Sequence, residues 1–312
     1  MTSRPAEADS RGSAVLRPDI EPILSVAMLK HRILSGILMT LVFGGLVILD
    51  GWLDGSATAS PDDDKAVRGT LLAALVAIVL ALATVEFANL AAAKGLRVLL
   101  GPGIGGVVLL STAWYWPQWL GVPLHACVLW TLVFALLASV LAQYWRYETD
   151  GVLANCGVSC LAVLYLGLLA AFVVGIRVDV GLWETLMLMF VVKASDIGAF
   201  TFGKLFGRHK FSPRISPGKT WEGMAGATIV AMGTSFAFAA AFGIMAWSWA
   251  LVFGGCFAVI GQLGDLTESM MKRDAQQKDS ANRVPGFGGI LDVIDSPLVA
   301  APFGYLFFRL VV

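Results

Sequence analysis

Asp292 and Asp295 stand three residues apart, and Asp265 and Ser269 stand four apart. On helices, both spacings put the paired side chains on one face. The segment between them, residues 268–289, carries Lys272, Arg273, Lys278, Asp279 and Arg283. Carboxylates beside several cations suit Mg²⁺ and a polyphosphate, because Mg²⁺ is held by one or two carboxylates plus phosphate oxygens rather than by an all-protein cage. A pair of such cations would stabilise both the attacking and the leaving oxygen of an in-line displacement. The competing reading is a set of ordinary ion pairs at helix ends, which gather charge in the same way.

A second stretch, "SPRISPGKTWEG" (Ser212–Gly223), contains a Gly-Lys-Thr that invites comparison with a phosphate-binding loop. The P-loop pattern requires a glycine five residues before the second one. That position is Pro213, which has no N–H to offer a phosphate. The stretch is therefore no P-loop. Lys204, Arg208, Lys210, Arg214 and Lys219 would draw the segment to anionic lipid headgroups unaided. Two prolines and the hydroxyls of Ser212, Ser216 and Thr220 add more constraint than an electrostatic patch needs. Thr220 is placed to cap a helix starting at Trp221-Glu222, whose first N–H groups are open to an anion.

The elements that must position these residues are membrane helices. Of 312 residues, 57% are hydrophobic and only 14% charged, and the mean hydropathy is +0.77. A soluble domain carries about a quarter charged residues. Net charge is zero, so no global basic field argues for a nucleic-acid partner. Cys127, Cys156, Cys160 and Cys256 lie in apolar runs; Cys156 and Cys160 share a helical face, with no histidine nearby to complete a zinc site. Taking about 20 apolar residues per crossing, spans are expected at Ile33–Leu53, Gly69–Asn89, Val98–Gly121, Ala126–Trp145, Val152–Ile176 and Val180–Phe202. Gly223 to Gly264 has no charged residue and is long enough for two helices, turning at Gly243–Trp249. Ile290–Phe308 is the last. The expected fold is thus an all-α polytopic membrane protein of about nine transmembrane helices.

Lysine and arginine gather on the cytoplasmic side of such proteins, which places the N-terminus inside. Residues 1–30 read as a disordered cytoplasmic tail and 31–178 as helices one to five. Residues 179–312 read as the catalytic helices six to nine, with cytoplasmic loops 203–222 and 268–289. Ionisable groups within spans are costly and usually functional. Glu86, Asp196, Asp265, Glu268, Asp292 and Asp295 all fall on the cytoplasmic half of this topology. Glu184 lies near the outer side with no role, and Arg177 and Arg309 read as outer interface anchors.

Ser269–Asp295, "SMMKRDAQQKDSANRVPGFGGILDVID", resembles the signature of phosphatidate cytidylyltransferases, also called CDP-diacylglycerol synthases. Ser269, Lys272, Arg273, Lys278, Asp279, Pro285, Gly286, Gly288, Gly289, Asp292 and Asp295 match it in register. Asp196 through Gly223 is similar to the family's upstream block, including Ser216, Lys219, Thr220 and Glu222. Glu86-Phe87 is a weaker echo. Phe287 stands where the family has histidine, Val293 where it has arginine, and Phe200 where it has tyrosine.

The resemblance implies a reaction of CTP with phosphatidate in the bilayer, giving CDP-diacylglycerol and pyrophosphate. The lipid phosphate attacks the α-phosphorus of CTP; being already ionised near neutral pH, it needs no strong base, so the missing histidine is tolerable. By family analogy Asp265, Asp292 and Asp295 bind the metal, a Mg²⁺ in a two-cation site, and Lys219 joins them in catalysis. Lys219, Lys272, Arg273 and Lys278 hold phosphates; Ser216 and Thr220 support their loop. Asp196 orients a cation or water, and Asp279 and Glu222 complete the substrate-binding set. The resemblance also implies a bacterial-type inner membrane with the active site on the cytoplasmic side, where anionic lipids are partners and a homodimer is compatible. Three alternatives stay open: a CTP-dependent polyprenol or phytol kinase, a catalytically impaired paralogue that binds CTP or lipid, and a cation transporter.

Overall fold

The computed structural model describes residues 40–58, 65–277, 280–281 and 288–312. The expected tail 1–30, together with Lys278, Asp279, Arg283 and Phe287, lies outside the described residues. Within them every regular element is a helix, and Lys210 and Thr220 form an isolated β-bridge. Helix α1 covers residues 40–54. It is followed by α2 (Thr70–Ala93), α3 (Leu100–Ser111), the single turn α4 (Pro117–Leu120) and α5 (Leu124–Tyr147). Helix α6 (Val152–Ala162) runs through a π-helical turn, Val163–Leu168, into α7 (Leu169–Asp179). Then come α8 (Leu182–Phe206), α9 (Trp221–Phe242), α10 (Trp247–Asp274) and α11 (Leu291–Val311).

Seven of these segments, counted among the described residues, are long and apolar enough to cross a membrane. They are α2, α5, the continuous α6–α7, α8, α9, α10 and α11. The uncharged run from Gly223 divides as expected, with Gly243 at φ 65° closing α9 and Trp247 opening α10. The expected third span is broken. Helix α3 has 12 residues, about 18 Å of rise against roughly 30 Å of hydrocarbon. Beyond its end, side chains take over the turn: Thr112 Oγ1 donates to Val108 O at 2.7 Å, and Trp116 Nε1 donates to that hydroxyl at 2.9 Å, while Pro117 opens the separate turn α4.

In lipid the helices gain little hydrophobic free energy by meeting, so close packing must join them, and small residues permit it. Here glycines bring backbones together along the chain of helices that carries the acids. A Cβ on Gly198 of α8 would lie 2.8 Å from Gly226 O of α9. On Gly254 of α10 it would lie 2.5 Å from Met232 Cα of α9, and on Gly264 of α10, 2.7 Å from Asp295 O of α11. The last contact sets the distance between the two acidic helices.

Arg177 is not an interface anchor. Its side chain is 1% exposed, with Nε 3.0 Å from Asp50 Oδ2 and Nη2 against Asp54 Oδ2. No spacing could show this pairing, because its carboxylates come from α1, more than a hundred residues away.

Replacing Gly264 by alanine should force α10 away from α11, since the atoms it meets are backbone and cannot yield. A loss of about 1–3 kcal/mol is expected from overpacking of this kind, read as a lower thermal midpoint in detergent. Gly255→Ala, whose Cβ would meet only Met232 Sδ at 3.9 Å, should leave the midpoint unchanged.

Candidate active site

Helix α10 supplies one stripe of the site. Asp265, Glu268, Ser269 and Lys272 fall at i, i+3, i+4 and i+7, which on an α-helix is a single face. The first turn of α11 adds Asp292 and Asp295, and the cytoplasm-proximal half of α8 in the expected topology adds Lys193 and Asp196. Helix α2 reaches in with Glu86, which is fully buried. The loop between α8 and α9 supplies Lys219.

That loop is held by its own hydrogen bonds. Thr220 caps α9, its Oγ1 accepting from Gly223 N at 3.1 Å. Glu222 accepts from the backbone N–H groups of Arg208 (3.1 Å) and His209 (3.2 Å) and pairs with His209 Nδ1 at 2.6 Å. Ser216 forms a turn, donating its N–H to Ser212 O at 3.0 Å and accepting from Lys219 N at 3.1 Å. Arg273, exposed at the end of α10, donates to Ile215 O at 3.2 Å and ties the loop to that helix. As a result Lys219 Nζ lies 2.8 Å from Asp265 Oδ2 and 3.0 Å from Gln262 O.

Five of the six acids divide into two sets. Asp292 is fully engaged: one oxygen meets Lys272 Nζ, while the other accepts from Ser280 Oγ (2.6 Å), Gly289 N (2.7 Å) and Ser280 N (3.1 Å). It holds the two ends of the intervening segment onto α11. Glu86 does the same from α2, accepting from Leu291 N at 3.0 Å and Ser280 Oγ at 3.3 Å. Gly289 is required by this packing, because a Cβ there would lie 1.9 Å from Ser280 Oγ and 2.5 Å from Glu86 Oε2.

The other set converges. Ligand oxygens of Asp265, Glu268 and Asp295 all lie within 4.8 Å of one another. Glu268 and Asp295 are buried, and Glu268 Oε2 bonds Lys272 Nζ at 2.6 Å. The second oxygen, Glu268 Oε1, is buried without a hydrogen-bond partner among the described residues. Three carboxylates this close repel one another, and a buried one left half-satisfied is costly. An oxygen-loving cation at their centre would relieve both conditions. Nearby, Asp196 accepts from Gln262 Nε2 at 3.4 Å and stands 3.5 Å from Lys193 Nζ.

Of the residues picked out from the sequence, Asp265 and Asp295 meet at the cluster and Lys219 meets Asp265. Asp292 instead pairs with Lys272, which is itself buried between two carboxylates. Glu268 was visible as an intramembrane acid but received no role. Its position three residues after Asp265, on the same face, was the signal for it. Lys193 stands three residues before Asp196 in the same span, which was the signal for it; Gln262 and Ser280 had no spacing that could have singled them out.

Residues 65–311 match the cytidylyltransferase family. A phosphatidate cytidylyltransferase of Bacillus subtilis (strain 168) is 32% identical over 291 residues, covering 90% of this chain and 98% of that protein. One of Pseudomonas aeruginosa is 32% identical over 288 residues, covering 88% and 95%. One of Mycobacterium leprae is 42% identical over 123 residues, 39% of each chain. Matched along most of its length, and bearing its acids where the helices of the matched region converge, the chain belongs to the cytidylyltransferase family and is a nucleotidyltransferase.

Proposed function

We propose that this protein transfers CMP from CTP to phosphatidate, giving CDP-diacylglycerol and pyrophosphate. The observation that carries the reading is the near full-length similarity to phosphatidate cytidylyltransferases, together with the convergence of Asp265, Glu268 and Asp295. An oxygen of the lipid phosphate forms a bond to the α-phosphorus of CTP as the bond from that phosphorus to the bridging oxygen breaks. Pyrophosphate carries away the electron pair. Because the nucleophile is already an anion, the chain has to position and neutralise rather than abstract a proton.

Asp265, Glu268 and Asp295 fit a Mg²⁺ ion, with Asp196 at the edge of the same cluster. Bound there, the ion would supply charge neutralisation for the phosphate oxygens. Lys219 sits at the rim against Asp265, where its ammonium can exchange that carboxylate for a CTP phosphate. Arg273 fixes the loop that carries Lys219. Lys272 and Asp292 hold α10 to α11 and keep Glu268 turned toward the cation. The exposed Arg208, Lys210 and Arg214 face the anionic headgroups.

Nine crossings with a cytoplasmic N-terminus, in a bacterial inner membrane, complete the reading. Lys94 pairs with Asp274 at 3.0 Å and Arg97 with Asp150 at 3.1 Å. These contacts put the ends of α2, α5 and α10 together with the start of α3. At the other extreme Trp114 Nε1 and Tyr305 OH donate to Asp179 at 2.8 and 2.7 Å. The chain from α3 to α5 therefore travels from the acidic end to the far end, although only 12 residues of it form α3. The buried pairing of α1 with Arg177 likewise puts the end of α1 at the far end. The concentration of lysine and arginine in loops 203–222 and 268–289 favours the cytoplasm for the acidic end.

Purified protein given CTP, phosphatidate and Mg²⁺ should release pyrophosphate in step with CDP-diacylglycerol. EDTA should abolish turnover and added Mg²⁺ restore it. Formation of CDP and a phosphorylated lipid alcohol, or no turnover with phosphatidate, would overturn the proposal. Asp295→Asn and Glu268→Gln should each lower kcat by about a hundredfold or more, the scale on which removing one preorganised charge group acts.

Lys219→Ala should act differently. With its ammonium placed for CTP rather than for the lipid, kcat/KM for CTP should fall about ten- to a hundredfold, a loss of transition-state stabilisation read as a ratio. The KM for phosphatidate, measured in mixed micelles, should change little.

A further inference from the structure

Among the described residues three ammonium groups border the acids, and two of them have a part in the proposed reaction. Lys272 is spent between two carboxylates, and Lys219 lies against Asp265 and the carbonyl of Gln262. Their side chains are 11% and 10% exposed. Lys193, midway along α8, differs from both. Its side chain is 31% exposed, and its one ionic contact among the described residues is Asp196 Oδ2, at 3.5 Å. A lysine inside a membrane span is costly and usually functional. A pair this long and this open contributes little to stability, so the pairing alone does not account for the residue.

The packing of α8 sets where Lys193 stands. Val192 and Ser195 are fully buried against α10, where a Cβ on Gly261 would lie 3.3 Å from Val192 Cγ1 and 3.5 Å from Ser195 Oγ. Each residue advances about 100° around a helix, so Lys193 and Asp196 are one step round from that packed face. In the other direction the face of Lys193 continues through Ile197 and Phe200, at i+4 and i+7, which are 66% and 48% exposed. Lys204, at i+11, is exposed on this face as well, with Nζ 5.9 Å from the centroid of the Phe200 ring. Asp196 turns its other oxygen to Gln262 Nε2, and Gln262 O accepts from Lys219. Lys193 therefore occupies the seam between the outward side of α8 and the stretch of α10 that carries the acids.

The two substrates of the proposed reaction must arrive by different routes. CTP comes through water to the loop that bears Lys219. The phosphate of phosphatidate is tied to acyl chains that stay in the bilayer, so its recognition calls for a cation reachable from the outward side of a membrane helix. We infer that Lys193 binds this lipid phosphate, its ammonium receiving the phosphomonoester at the membrane-facing edge of the acid site. An ammonium has three donors, and the contact with Asp196 uses one. The flexible stem lets the charge lean along the helix toward the acids, as the i, i+3 contact with Asp196 does. The inference rests on the proposed reaction and adds a division of labour to it, with Lys193 for the lipid and Lys219 for the nucleotide.

The test compares full-length wild type, Lys193→Met, Lys193→Gln and Lys193→Arg in detergent. Methionine removes the charge, glutamine removes it but keeps a donor for Asp196, and arginine keeps the charge. Phosphatidate binding is read by native mass spectrometry without CTP, against phosphatidylcholine as the control lipid. The phosphatidate dissociation constant should rise about ten- to a hundredfold in Lys193→Met and Lys193→Gln, the scale of a hydrogen bond to a charged group. Lys193→Arg should restore most of the affinity. In turnover the KM for phosphatidate should rise in step, while the KM for CTP and the Mg²⁺ concentration for half-maximal rate stay put. If the uncharged variants bind phosphatidate as tightly as wild type, or if their defect lies in CTP or Mg²⁺ and glutamine repairs it, the inference falls and the proposed function stands. Phosphatidate binding that depends on the charge at Lys193, without any CDP-diacylglycerol formed by wild type, would support the lipid site and overturn the proposed function.

Discussion

The structure turns on one ammonium group. Lys272 is buried between Glu268, on its own helix, and Asp292, on α11. Removing an amine and two carboxylates from water costs several kcal/mol per ion unless geometry and further hydrogen bonds compensate. The compensation is visible. Asp292 takes three more donors from Ser280 and Gly289, and Glu86 takes the amide of Leu291. Through this network α2, α10 and α11 and both described edges of the intervening segment become one unit. It also leaves Glu268 Oε1 without a hydrogen-bond partner among the described residues. Without Lys272, Glu268 would have no buried partner and the α10–α11 seam would open where the acids meet.

Hydrogen bonding alone could not hold this seam in lipid. Side-chain bonds between membrane helices contribute modestly, because separated helices also find partners. Backbone approach at glycines supplies the rest, and three of these glycines lie near chemistry. Gly264 precedes Asp265 and touches the carbonyl of Asp295; Gly198 follows Asp196 by two residues; Gly223 sits beside the cap made by Thr220, where a Cβ would be 2.8 Å from Ala199 O. The acids are therefore brought together by the same residues that let the helices close.

Much of this was legible in the sequence, for physical reasons that can be named. Helical spacing foretold that Asp265 and Ser269 share a face, and Ser269 Oγ does lie 3.3 Å from Asp265 Oδ1. The missing glycine at Pro213 ruled out a P-loop, and Thr220 caps α9 as its type and position required. What spacing could not supply was the pairing between helices. Periodicity shows which side chains share a face but not which face they meet, so nothing in the sequence could tell Asp292 from Glu268 as the partner of Asp265 and Asp295. Arg177 was misread for the same reason, its partners being a hundred residues away. Helix α3 was overestimated because hydropathy counts Thr112 to Trp116 as apolar enough, whereas their hydrogen bonds end the helix.

Two buried ionic clusters at opposite ends of the molecule separate structural charge from charge kept for chemistry. At the far end Arg177 meets Asp50 and Asp54, and every carboxylate oxygen there accepts a hydrogen bond: Asp50 from Leu71 N and Arg177, Asp54 from Ser56, Gly69 N and Arg177. Such a cluster is complete without a ligand. At the site the carboxylates of Glu86, Asp196, Asp265, Glu268, Asp292 and Asp295 face the ammonium groups of Lys193, Lys219 and Lys272, so negative charge is in excess. Among the described residues, the buried Glu268 Oε1 there has no donor. Ion pairs that merely tie helix ends together have no reason to leave either condition, since both are destabilising in a medium of low dielectric. The proposed divalent cation would offset that excess.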